Sequence, residues 1–256
     1  MRFYDLDIDV KNYAKRIVDA GYKCPADINS VSDFVKGLKI LNLWGNIIDC
    51  WLMRSLQNAG SGTSLHALKY NINNGTMVNG PVWSDTGIVK NGATQYITIP
   101  RNILGGNINR TIIAVAKRST AQNVVLSYGN LSATRFALKT EIGVDRVSLD
   151  AYNGSSNDNF GITNANGIFN QIAASYDSTT LLFKMNNAAA TTSTISMSFS
   201  SNASNVIFGG WQTSNITSGL STTPFGLISD TAFTSNEIDL FYNLYKSTLG
   251  KGLNLP

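Results

Sequence analysis

The hydrophobic pattern of this chain changes period once, and that change limits what it can fold into. Up to about residue 60, apolar residues recur at helical spacing; from Trp83 onward they alternate in short runs separated by Gly, Asn and Ser. The change falls within GTMVNGPVWSDTGIVKNGATQYITIP, Gly75 to Pro100. Many short strands spaced by turn residues bury their apolar faces by stacking two antiparallel sheets. The pattern therefore predicts a mainly β protein, an antiparallel β-sandwich preceded by a small α-helical N-terminal segment.

In the first segment Val10, Tyr13, Ala14, Ile17 and Val18 form a helical stripe, with Asp7 or Asp9 as cap and Gly21 at the end. After Cys24-Pro25, a second helix begins at Asp27 or Ser30 and carries Val31, Phe34, Val35, Leu38 and Leu41. A third stripe, Trp44, Ile47, Ile48, Trp51 and Leu52, predicts a third helix. A helical unit of about 60 residues has a marginal core by itself. Phe34, Trp44 and Trp51 are read first as core and as packing on the next domain, and alternatively as a docking surface for partner chains. On this ground self-association into a homo-oligomer is expected. Ala59 to Ser64 (AGSGTS) reads as a flexible connector. The division expected is 1–60, a helical adaptor or docking segment, and 61–256, a β-sandwich with a short C-terminal helix.

Within the second segment Gln95–Ile99 alternates, and Arg110–Arg118 is apolar on both faces, as a central strand would be. Arg135–Lys139 and Asp145–Asp150 alternate, with Val147 and Leu149 inward. Ile172, Ala174 and Tyr176, a turn at Asp177-Ser178, then Leu181, Phe183 and Met185 read as a hairpin. Ile195–Ser200 is the cleanest alternation, and Val206–Gly210 and Phe225–Phe233 complete the set. Thr234-Ser-Asn-Glu237 has capping-box spacing ahead of Ile238, Phe241, Tyr242 and Tyr245, which predicts a terminal helix.

Of the 256 residues, 43% are hydrophobic but only 14% charged, with Glu at Glu141 and Glu237 alone. Few helical chains manage with so little Glu. The net charge of +4 invites a nucleic-acid reading, yet the pairs Lys15-Arg16 and Lys117-Arg118 are isolated. Phosphate binding needs a basic stripe, so no nucleic-acid partner is expected. MRFYDLDIDV lacks the apolar centre of a signal peptide, and no run approaches the ~20 residues of a membrane span. Synthesis and folding in a cytoplasm, no membrane insertion, and free thiols at Cys24 and Cys50 are expected.

The order ATQYITIP, RTIIAVAK, FNQIAASYDSTTLLFKMNN, NVIFGG and PFGLISDTAFTSNEIDLFYNLY resembles the laminin-G-like or concanavalin-like jelly roll over residues 75 to about 249. FVKGLKILNLWGNI followed by GTMVNGPVWSDTGIVKNG resembles bacteriophage structural proteins that join a small helical segment to such a domain. This second resemblance implies a virion component of tail-fibre or head-decoration type, made in a host cytoplasm. Its expected partners are other capsid or tail proteins. A host surface glycan recognised by the sandwich is the alternative.

No catalytic constellation emerges. NEIDLFYN (Asn236–Asn243) is similar to the Glu-containing strand of jelly-roll glucanases, but Leu240, Phe241 and Tyr242 follow Asp239 where a second Glu is needed. His66, the only histidine, is the sole base for a serine nucleophile and lies beside the connector without a Gly-x-Ser-x-Gly elbow. A lone His builds no metal site of ordinary ligand count. The expectation is accordingly that the chain is not an enzyme and holds no cofactor. Laminin-G-like domains sometimes hold calcium, and the oxygens of Asp150, Asn153, Asn157 and Asp158 would suit it in a loop, although the same residues also make an ordinary loop. For a glycan, Trp211, Gln212, Tyr152 and Phe160 read as loop-placed candidates to stack and hydrogen-bond a sugar.

Overall fold

A computed structural model describes residues 5–91, 94–99, 109–118, 123–129, 134–140, 146–153, 157–163, 167–197, 206–210 and 221–256. Helix α1 (Ile8–Asp19) starts where Asp7 accepts from the Asp9 N–H at 2.9 Å, and the chain turns away at Gly21 with φ +87°. Helix α2 (Ile28–Ile40) buries Ile28, Val31, Phe34, Val35 and Leu38. Lys39 near its end reaches Asp7 at 2.8 Å and Asp9 at 2.7 Å, which ties the end of α2 to the start of α1.

The rest of the described chain is two antiparallel sheets and a final helix. The strands in chain order are β1 (Ile47–Leu52), β2 (Ser64–Leu65), β3 (Gly75–Val78), β4 (Val82–Ser84), β5 (Gly87–Lys90), β6 (Tyr96–Ile99), β7 (Arg110–Arg118) and β8 (Asn123–Gly129). Next come β9 (Thr134–Thr140), β10 (Arg146–Asn153), β11 (Asn157–Thr163), β12 (Phe169–Tyr176), β13 (Thr180–Met185), β14 (Thr191–Thr194), β15 (Val206–Phe208) and β16 (Ser221–Ser229). The first sheet runs β14-β13-β12-β7-β16-β5-β4, with β1 also paired to β16. The second runs β11-β10-β9-β8-β15-β6-β3-β2. The expected β-sandwich with a small N-terminal helical part is what forms. The Gly75–Pro100 stretch feeds both sheets: β3 and β6 join the second, β4 and β5 the first.

Three sequence expectations need correction. The third helical stripe is one 3-10 turn at Trp44–Asn46 followed by strand β1, with Cys50 opposite Leu227 and Leu52 opposite Phe225. Trp51 and Met53 enter the core between the sheets, while Cys50 and Leu52 face the helices. A strand covered on both faces is apolar on both, so its sequence also satisfies a helical stripe. Second, the edge strand β14 is Thr191–Thr194 rather than Ile195–Ser200. Ile195 and Met197 drop out of the sheet into the core, and the Met197 N–H donates to the Tyr176 hydroxyl at 2.9 Å. Residues 198–200 lie outside the described residues. Third, the Ala59–Ser64 connector is hydrogen-bonded into the sandwich. Gly60 and Gly62 take φ +68° and +70°, and Trp83 Nε1 donates to the Gly62 carbonyl at 3.0 Å.

One apolar core fills the space between the sheets. A second lies between the outer face of the first sheet and the helices, and joins Phe34 and Val35 of α2 to Ile113, Val115, Phe225 and Leu227. Helix α3 (Ser235–Ser247) closes it with Ile238, Phe241, Tyr242 and Tyr245. The second core thus contains residues from both sides of position 60. The three aromatic docking candidates are internal: Phe34 and Trp51 are 0% exposed and Trp44 is 7% exposed. Cys24 and Cys50 are free cysteines.

Candidate functional site

Where the start of α3 meets the β12–β13 hairpin, Ser175, Asp177, Thr180, Leu182, Ala232, Phe233, Thr234 and Ser235 line a cleft of about 280 Å³. Its two walls are built from local hydrogen bonds. On the hairpin side the Asp177 carboxylate accepts from the Thr179 N–H and hydroxyl at 3.1 and 3.0 Å and from the Thr180 N–H at 2.6 Å. These donors, the Thr180 N–H first, hold the carboxyl below its usual range, so Asp177 is ionised. Ser178 sits at φ +79°, and its carbonyl accepts from the Tyr176 hydroxyl at 2.8 Å.

On the helix side Thr234 and Glu237 form the capping box that their spacing predicts. The Thr234 N–H and hydroxyl donate to Glu237 Oε2 at 2.7 and 2.8 Å. Glu237 is therefore committed to the helix start. Lys184 Nζ donates to Ser235 Oγ at 2.9 Å and to Asp239 Oδ2 at 2.8 Å. Thr111 of β7 fixes the approach to α3: its hydroxyl donates to the Thr231 carbonyl at 2.8 Å and accepts from the Phe233 N–H at 2.8 Å. The result is an oxygen-rich rim over an apolar floor of Leu182, Ala232 and Phe233. Such a surface can match the hydroxyl edge and the C–H face of a pyranose ring.

None of the four residues named from the sequence as glycan contacts lines this cleft. Trp211 and Gln212 lie outside the described residues. Tyr152 and Phe160 stand in strands β10 and β11 and not in a loop, with Tyr152 opposite Asn157 and Leu149 opposite Phe160. Asn153, Asn157 and Asp158 are likewise strand residues, and Asp150 is buried in an ion pair with Lys139 at 3.0 Å, which corrects their reading as a loop. Among the described residues no group of three or more His, Cys, Asp or Glu is placed to hold a metal ion. His66 is 3% exposed and packs edge-on against Tyr22 at 5.5 Å; burial, then the nearby Arg16, lower its pKa. The cleft residues were visible in the sequence only as turn and cap signals. Only tertiary structure brings the two together.

No protein-family model and no curated protein sequence matches this chain. Solved structures do match in fold. A Trypanosoma rangeli sialidase in complex with sialic acid superposes with a TM-score of 0.63 at 10% identity, over 81% of this chain and 34% of that one. A second Trypanosoma rangeli sialidase structure gives 0.62, also at 10% identity, over 88% and 40%. The ligand binding domain of botulinum neurotoxin serotype D, in complex with N-acetylneuraminic acid, gives 0.58 at 10% identity, over 77% and 50%. This chain therefore spans half or less of those chains, and the likeness is one of fold.

The expectation that the chain is not an enzyme is corrected by the sialidase matches. It rested on the missing second carboxylate and the missing serine triad. Sialidases use a tyrosine nucleophile and stand outside the two-carboxylate rule, so neither absence excludes hydrolysis. At 10% identity the matches assign no activity either.

Proposed function

We propose that this chain is a glycan-recognising β-sandwich module on the surface of a bacteriophage particle, with the cleft between the β12–β13 turn and α3 as its sugar site. The observation that carries the reading is the composition of that cleft, hydroxyls and a carboxylate around an apolar floor. The Thr180 side chain makes no hydrogen bond to another described residue, and the bonds to Asp177 engage Oδ1, so both present hydrogen-bonding capacity to a ligand. The fold supports the reading, since the Trypanosoma rangeli sialidase and the botulinum neurotoxin domain were both solved with a sialic acid bound. The particle setting, with capsid or tail proteins as partners, rests on the resemblance of FVKGLKILNLWGNI (34–47) followed by GTMVNGPVWSDTGIVKNG (75–92) to phage structural proteins.

Glycan-array binding by the full chain and by Ala232→Trp tests the site. Ala232 is a half-buried lining residue, and an indole there fills the cleft. We expect Ala232→Trp to lose binding at least tenfold while melting as the parent does. Equal binding by both proteins would place the sugar elsewhere. Imaging of particles carrying the labelled chain tests the setting.

A further inference from the structure

We infer that the cleft beside α3 takes an uncharged pyranose and rejects acidic sugars; this rests on the glycan reading above. The inference comes from charge. Asp177 lines the cleft and is ionised, its carboxyl held low by the Thr180 and Thr179 N–H groups. Glu237 is bonded to the lining residue Thr234. Asp239 stands on the first turns of α3, bonded to Lys184. Among the described residues Asp177 is thus the one charged residue that lines the cleft, Glu237 stands beside it on Thr234, and Asp239 is balanced by Lys184.

Lys184 is 3% exposed and already shared between Asp239 and Ser235, so it offers no free cation to a sugar carboxylate. The other buried cations among the described residues, Lys90, Arg110 and Lys139, are 4%, 0% and 7% exposed and do not line the cleft. This acidic patch lies on a chain whose net charge is +4, so it is a local arrangement and not the general character of the surface. A carboxylate ligand would meet the like charge of Asp177 in the cleft wall, the arrangement by which interfaces exclude wrong partners. An uncharged ring meets no such penalty. Its hydroxyls can donate to Asp177 Oδ2 and exchange hydrogen bonds with Thr180, and its C–H face can rest on Ala232 and Phe233.

Calorimetric titration of the full chain with lactose and with sialyllactose tests this, beside Asp177→Asn and Ala232→Trp. Asn at position 177 keeps an oxygen for the Thr179 and Thr180 N–H groups, so the turn survives. We expect lactose to bind at least tenfold more tightly than sialyllactose, the gap to fall below threefold in Asp177→Asn, and Ala232→Trp to abolish both. Sialyllactose binding as tightly as lactose and lost in Ala232→Trp would overturn the charge argument and leave the glycan reading standing. A gap unchanged in Asp177→Asn would also overturn it. Binding of neither sugar would overturn both readings.

Discussion

Asp49 is fully buried in β1, where its carboxylate accepts from the Cys50, Lys69 and Tyr70 N–H groups at 2.9 Å each and from Asn73 Nδ2 at 3.0 Å. These bonds fasten the 69–73 segment to the sheet. Loss of water outweighs them, so burial pushes the Asp49 pKa up to about 6. A folded-state pKa above the ordinary value means that folding takes up a proton. The stabilising effect is therefore fully present below about pH 4 and is lost as pH rises through about 6, a swing of about 3 kcal/mol. Urea denaturation at pH 4.5 and 7.5 should show wild type losing about two-thirds of this increment, about 2 kcal/mol, relative to Asp49→Asn. An identical pH difference in the two proteins would rule it out. The variant should also be less stable at both values, because an amide cannot accept all four bonds.

At the scale of elements, α2 is held to the first sheet through Phe34, whose ring meets Phe225 at 5.8 Å, Phe241 at 5.7 Å and Tyr245 at 6.2 Å. Phe34→Ala leaves a cavity enclosed by β16 and α3 and should cost about 3–5 kcal/mol in chemical denaturation. A cost below about 1 kcal/mol would mean that the helix layer can collapse onto the gap. The same layer explains what the sequence could and could not convey. Helices α1, α2 and α3 were legible because each has one wet face, so its apolar residues keep a helical period. Strand β7 was legible as a central strand from its unbroken apolar run, and the β12–β13 hairpin from alternation around Asp177-Ser178. Strand β1 was not, since helices cover one face and the second sheet the other. Ile195–Ser200 misled for a different reason: alternation reports which residues are buried, and Ile195 and Met197 are buried without a strand. The cleft was not legible because the spacing of Thr234 and Glu237 encodes a helix cap and says nothing of the hairpin that faces it.

At the scale of the molecule, the division at residue 60 expected from composition meets a core that crosses it. Removing residues 1–60 would take β1 from its pairing with β16 and expose Phe225, Leu227, Ile113 and Val115 to water. It would also remove Trp51, whose ring stands 5.5 Å from Phe208 of the second sheet. The aromatic load that suggested a separate docking unit is thus used to cover the sandwich's own sheet. A chain of residues 61–256 should therefore aggregate or lack near-UV dichroism, while the full chain should unfold in one transition with coincident near- and far-UV signals. A folded, monomeric 61–256 chain with native tertiary dichroism would show that the sandwich stands alone and that the helical segment is an appended adaptor. The cleft makes the two outcomes matter for function. Its α3 wall rests on Phe241 and Tyr245, which pack on Phe34, so losing the first segment should also loosen the cleft proposed to hold a sugar, whose lining lies 140 or more residues beyond Phe34 in the chain. Glycan binding by the shortened chain, measured beside its dichroism, reads both effects in one preparation.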